Sequence, residues 1–117
     1  MKRGNILGVG VSAVNMTMAV DTIEKWIEKQ EQNYVLAVPA HCIVDCQRDP
    51  DLRRIYNRAG MVTPDGMPVA WILRMMGFRQ VDRVYGPDLM LATCQRSLER
   101  GYKHFFYGGW PPAVAAR

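Results

Sequence analysis

Asp65 and Gly66 interrupt the stretch MVTPDGMPVAW, residues 61–71, where an apolar run ends in Thr63-Pro64 and a helix-like apolar run resumes at once. A carboxylate just past the end of a strand can take a proton from a substrate hydroxyl, provided that it stands within hydrogen-bond reach. The same carboxylate can instead cap the helix that begins at Met67 or Pro68, and the local pattern alone leaves both roles open. A second group stands in RVYGPDL, residues 83–89, with Arg83, Gly86 and Asp88 around a helix start. A guanidinium beside a helix N-terminus can hold a phosphate or a diphosphate. Asp88 in the first helical turn also simply complements the helix dipole. Gly108 and Gly109 after Phe105-Phe106-Tyr107 form a third candidate, a glycine turn that would let backbone amides approach a nucleotide.

Two further patterns point elsewhere. His41 precedes Cys42, and Cys46 follows one helical turn later. A zinc site needs a fourth ligand, and this spacing matches no common zinc pattern. With Cys94 the cysteines number three, an odd count in a chain that opens with no export signal, which argues for reduced thiols rather than disulfides. The second pattern is GVGVSA, residues 8–13, which fits the dinucleotide fingerprint G-x-G-x-x-A, with Glu28 and Glu31 at a suitable distance. An NAD-linked oxidoreductase is therefore an alternative. It requires a strand directly before Gly8 and a helix opening at Ala13.

The elements that must position these residues follow from periodicity. Residues 5–14 are β-leaning, and Asn15 or Thr17 can cap a helix over about 17–31 with Val20, Ile23, Trp26 and Ile27 on one face. Tyr34 to Val38 reads as a buried strand, followed by a helix from Ala40 to Gln47. Asp49-Pro50 then restarts a helix that Gly60 ends, with Leu52, Ile55, Tyr56 and Ala59 facing inward. Met61 to Thr63 is a short strand, 68–76 a helix, 78–86 a loop and 87–100 another helix. Tyr102 to Tyr107 is expected as a strand, and Pro112 to Arg117 as the start of a last helix. Strands alternating with helices predict an α/β fold, a Rossmann-like and mainly parallel sheet with helices on both faces. In such sheets ligands bind beyond the carboxyl ends of the strands, where 63–68, 83–88 and 107–112 all fall.

Composition sets the outer bounds. The chain has 117 residues, 49% hydrophobic and 22% charged, enough for one domain with a core. No apolar run approaches the roughly 18–20 residues that span a bilayer. The opening residues carry no secretory pattern, so a cytoplasmic protein is expected. Fifteen basic against 11 acidic residues give a net charge of +4, which suits a polyanionic partner such as a sugar nucleotide's diphosphate. No nucleic-acid motif accompanies that charge.

The order of these features is more specific than any one of them. NILGVGV, QRDPDLRRIYNRAGMVTPDGMPVAW, RVYGPDLML and FFYGG together resemble the WecG/TagA/CpsF glycosyltransferases, family 26, over essentially the whole chain. The resemblance implies transfer of an N-acetylhexosamine or related hexose from a UDP-sugar to a polyprenyl-diphosphate-linked sugar, in cell-surface polysaccharide or teichoic acid synthesis. It implies an inverting reaction without a metal ion or other cofactor. It places the family's proposed general base on Asp65 and its phosphate-contacting arginine on Arg83. Gly86 and Asp88 belong to that same motif, Gly66 to the Asp-Gly pair, and Gly108 and Gly109 to the glycine turn near the nucleotide. His41 matches a histidine of many members and becomes a pocket candidate. In LAVPAHCIV, residues 36–44, the threonine and asparagine that the family usually carries after its second strand are absent.

The family's enzymes are longer. Residues 1–117 are accordingly expected to be the N-terminal portion of a single glycosyltransferase domain, apparently truncated, with an inactive fragment or pseudoenzyme as the alternative. Expected partners are the UDP-sugar and the lipid-linked acceptor, with peripheral contact at the inner face of the cell membrane through a later segment and a homo-oligomer as an option.

Overall fold

The hairpin at the start of the chain is built on a two-residue turn. In this computed structural model, which describes residues 1–105, β1 (Arg3–Ile6) pairs antiparallel with β2 (Val9–Ser12), Ile6 facing Val9. Leu7 and Gly8 take φ of 50° and 90°, the left-handed conformation that such turns demand. Asn5 Oδ1 accepts the Gly8 N–H at 2.8 Å and closes the turn. This geometry removes the dinucleotide reading of GVGVSA. Gly8 is the second residue of a hairpin turn, the stretch continues as strand to Ser12, and no helix opens until Met16.

Asn15 caps α1 (Met16–Glu28) by accepting the Met18 N–H at 3.0 Å. The chain then forms β3 (Val35–Val38) and α2 (Ala40–Arg48). Asp49 caps α3 (Pro50–Arg58), accepting from Asp51 and Leu52, with Pro50 at the first helical position. β4 (Met61–Pro64), α4 (Met67–Met75) and α5 (Gly86–Arg100) follow. Gly101, at φ 70°, ends α5 in the left-handed cap that glycine favours.

β3 and β4 pair in parallel, with Val35 opposite Met61 and Val38 opposite Pro64. The hairpin joins them without a ladder: buried Ser12 Oγ accepts the Val62 N–H at 2.9 Å, which seats β2 beside β4. The sheet elements are therefore one parallel pair and one antiparallel pair, smaller and less uniformly parallel than expected. The first connection is a tight turn, which can join only antiparallel neighbours.

Alternation along the parallel pair divides the interior in two. Leu36, Val38 and Val62 belong to a core with Ile43, Tyr56, Val69 and Leu73, under α2, α3 and α4. Val35 and Met61 point to the other side, against Ala19, Val20 and Leu89 of α1 and α5. Helices thus cover both faces, as the α/β pattern requires. On the second face Glu24 pairs with Arg96 at 2.5 Å and with Arg100 at 3.1 Å, tying α1 to α5.

The strand expected over 102–107 is not formed in its described part: Tyr102 to Phe105 lie outside any strand, and Phe105 is exposed. Aromatic residues favour strands only where a neighbouring strand and a packing surface receive them. The glycine turn at Gly108-Gly109 and the last expected helix lie outside the described residues.

Candidate functional site at the carboxyl edge of the parallel strands

Three helices begin where β3 and β4 end. α2 starts two residues after Val38, α4 three residues after Pro64, and α5 is brought to the same edge by the chain before it. That preceding segment is firmly held. Val81 and Val84 are buried, Arg74 Nε donates to the Val81 carbonyl at 2.8 Å, and the Val84 N–H donates to the Pro64 carbonyl at 2.8 Å. Asp82 pairs with Arg74 at 3.0 Å and accepts the Arg83 N–H at 2.8 Å. A segment read from the sequence only as a loop is therefore a fixed platform for Arg83.

Asp65 follows directly on Pro64, its N–H donating to the Val38 carbonyl at 3.3 Å, so its position is tied to both strand ends. Gly66, not Asp65, occupies the cap position of α4, with φ 98° and ψ 147°, a backbone state open to glycine almost alone. No side chain caps that helix. The alternative structural role for Asp65 is thereby excluded. Its carboxylate, 18% exposed, faces Arg83, whose Nε lies 4.0 Å from Asp65 Oδ1. Arg83 is itself half exposed and lies over the ring of Tyr85, 4.6 Å from its centre. That contact braces the guanidinium beside the carboxylate, and its half exposure leaves it within reach of an anion.

The remaining candidates divide. Gly86 is the first residue of α5 and lies against β3: a Cβ added there would stand 3.5 Å from that of Ala37, an ordinary contact. Asp88 is exposed in the first turn of α5. His41 is exposed in the first turn of α2, at the same edge as Asp65 by the parallel pairing. Gly108 and Gly109 lie outside the described residues. The structure thus brings Asp65 and Arg83 into contact, and sets Gly66, Gly86, Asp88 and His41 at the helix starts of one edge.

A cleft of about 250 Å³ opens at the start of α5, lined by Val35, Ala37, Thr63, Gly86, Leu89 and His104 among others; of the described candidates only Gly86 lines it. Thr63 was not singled out by sequence reasoning as a site residue. The signal was present: it stands two residues before Asp65, so strand alternation sends it to a defined face of the sheet. Among the described residues no group of three or more His, Cys, Asp or Glu side chains is placed to hold a metal ion. Cys42, Cys46 and Cys94 are free thiols, and burial pushes the Cys46 thiol above its ordinary pKa. No helix among the described residues is long and apolar enough to cross a membrane.

The family model for the Glycosyl transferase WecG/TagA/CpsF family matches residues 4–117. The chain belongs to that family. No curated protein matches it in sequence. Membership makes the protein a glycosyltransferase by family, with a sugar donor and a sugar acceptor as its general partners and cell-surface polysaccharide synthesis as its setting. The WecG/TagA/CpsF match spans the hairpin, the Asp-Gly junction and the Arg83 platform alike, so the carboxyl-edge constellation lies wholly within the matched region.

Proposed function

We propose that the protein transfers an N-acetylhexosamine, or a related hexose, from a UDP-sugar to a polyprenyl-diphosphate-linked sugar. Asp65 is the general base and no metal ion takes part. The supporting observation is that Asp65, although it stands at a helix start, caps nothing: its carboxylate remains open at the strand edge, paired only loosely with Arg83. In the reaction an acceptor hydroxyl gives its proton to Asp65 while its oxygen attacks the anomeric carbon of the donor. The bond from that carbon to the diphosphate oxygen breaks, and UDP leaves with the electron pair. Arg83 and the adjacent helix N-termini stabilise the charge that develops on the departing diphosphate. His41 and Asp88 stand in the first turns of α2 and α5 at the same edge, and Gly66 and Gly86 keep backbone close to the substrates. The work would take place at the inner face of the membrane, where a lipid-linked acceptor resides.

The decisive experiment is transfer from a UDP-N-acetylhexosamine to a short-chain lipid diphosphate sugar, with Asp65→Asn beside the wild type. Loss of a general base is expected to slow turnover by about 10²–10⁴-fold. UDP binding should persist in the variant, and EDTA should leave the wild-type rate unchanged. A variant that turns over at the wild-type rate would remove Asp65 from the chemistry.

A further inference from the structure

Thr63 Oγ1 is the one buried side-chain polar atom among the described residues that has no hydrogen-bond partner. Folded proteins rarely leave such an atom unsatisfied, and the exceptions call for an explanation. Other threonines here find one easily: Thr22 donates to the Met18 carbonyl and Thr93 to the Leu89 carbonyl, each at 2.8 Å along its own helix. Thr63 lies in a strand, where no such carbonyl is within reach of its own side chain.

Alternation along β4 places Thr63 on the same face as Met61, the face covered by α1 and α5. Its register partner is Ala37, whose methyl offers no polar group. Thr63 and Ala37 line the cleft together with Gly86, the first residue of α5. That helix has no side-chain cap. The N–H groups of Gly86 and Asp88 have no acceptor inside the helix, and Pro87 carries no N–H. Arg83 stands three residues before this turn, with its Nε 4.0 Å from Asp65 Oδ1. An unpartnered hydroxyl and two open amides at one helix start, with a guanidinium on the segment that leads into it, complement the oxygens of a phosphate.

We propose that Thr63 is a substrate-binding residue whose Oγ1 donates a hydrogen bond to a diphosphate seated on the first turn of α5. This rests on the glycosyltransferase reading above and extends it from the Asp65–Arg83 pair to the cleft at the start of α5. The shared chemistry is the diphosphate, which both the sugar nucleotide and the lipid-linked acceptor carry.

Titration calorimetry with uridine diphosphate and, separately, with farnesyl diphosphate tests it on the wild type, Thr63→Val and Thr63→Ser. Thr63→Val should weaken one or both ligands by about ten- to a hundredfold, the effect of losing a hydrogen bond to a charged group. The ligand that weakens identifies which substrate uses the site. Thr63→Ser keeps the hydroxyl and should bind as the wild type does. Thr63→Val should also melt no lower than the wild type, because an isosteric methyl replaces a hydroxyl that lacks a partner. If Thr63→Val does not fold, Thr63→Ala carries the same comparison. Should the valine variant bind both ligands as tightly as the wild type, Thr63 has no such role, and the Asp65 assignment is untouched. Should the wild type bind neither ligand, the diphosphate reading of the whole edge falls, and this proposal with it.

Discussion

The helices divide by how they start. α1 and α3, which follow neither β3, β4 nor the Arg83 segment directly, are both capped by side chains, Asn15 and Asp49. α2, α4 and α5 begin at the carboxyl edge of β3 and β4 with Pro39, Gly66 and Tyr85 in the cap position, and none has a side-chain cap. The hairpin shows the same care as α1 and α3. Asn57 accepts the Gly10 N–H and donates to the Gly8 carbonyl, at 2.8 and 2.9 Å, while Gln47 donates to the Leu7 carbonyl at 2.7 Å. At the hairpin turn and the starts of α1 and α3, polar side chains satisfy the backbone; around the starts of α2, α4 and α5, backbone donors, a carboxylate and a buried hydroxyl are left open. Such local rule-breaking belongs where a ligand completes the set.

The comparison can be broken from either side. Asp65→Asn carries the largest expected effect, on turnover alone, since the residue supports no helix. Arg83→Ala comes next. It should weaken UDP binding by about ten- to a hundredfold, as for other hydrogen bonds to charged groups, with little change in melting temperature because the pair with Asp65 is loose and partly exposed. Arg83→Lys should recover only part of that affinity, since a lysine cannot present the flat fork that lies over Tyr85. Equal loss of stability and binding in Arg83→Ala would make the residue a strut rather than a ligand group.

Asp49→Ala probes the capped class. Its carboxylate accepts two N–H groups at 3.1 Å, and its loss should cost about 0.5–2 kcal/mol. For a chain of this size that lowers the melting temperature by several degrees, roughly 4–8 °C per kcal/mol. Transfer activity measured well below melting should not change. A parallel fall in activity would dissolve the division between holding side chains and working ones.

How far this was legible in the sequence depends on the residue. Asp49-Pro50 announces a helix start by local chemistry alone, and Asn15 does so nearly as well. The alternation of strand and helix predicted the two-faced architecture. The hairpin was missed because its turn carries Leu7 at positive φ, where an asparagine or glycine would have signalled it. Whether Asp65 caps α4 could not be read locally, because the choice rests on the backbone that Gly66 adopts. The Asp65–Arg83 contact was invisible for a different reason: it depends on Val81, Val84 and Arg74 pinning a segment whose composition reads as loop. Thr63 was within view, but an unsatisfied atom is a property of its surroundings and not of its residue type.

The smallest effect compares two buried hydroxyls. Thr63 Oγ1 has no partner, whereas burial and the neighbouring Cys42 thiol push the Tyr56 phenol up from 10.0 to about 12. A phenol whose folded pKa is raised binds its proton more tightly in the native state. Its contribution to stability is therefore complete below the unfolded value near pH 10 and is lost as the pH rises toward 12. Other groups titrate in that range, so the informative quantity is the difference in melting temperature between the wild type and Tyr56→Phe. That difference should be flat up to about pH 9, one unit below the ordinary phenol value. Above pH 10 it should move against the wild type by a few degrees. Parallel curves to pH 11 would mean that the Tyr56 hydroxyl is solvated in the folded chain, and that the α2–α3 core is looser than the side on which Thr63 is buried.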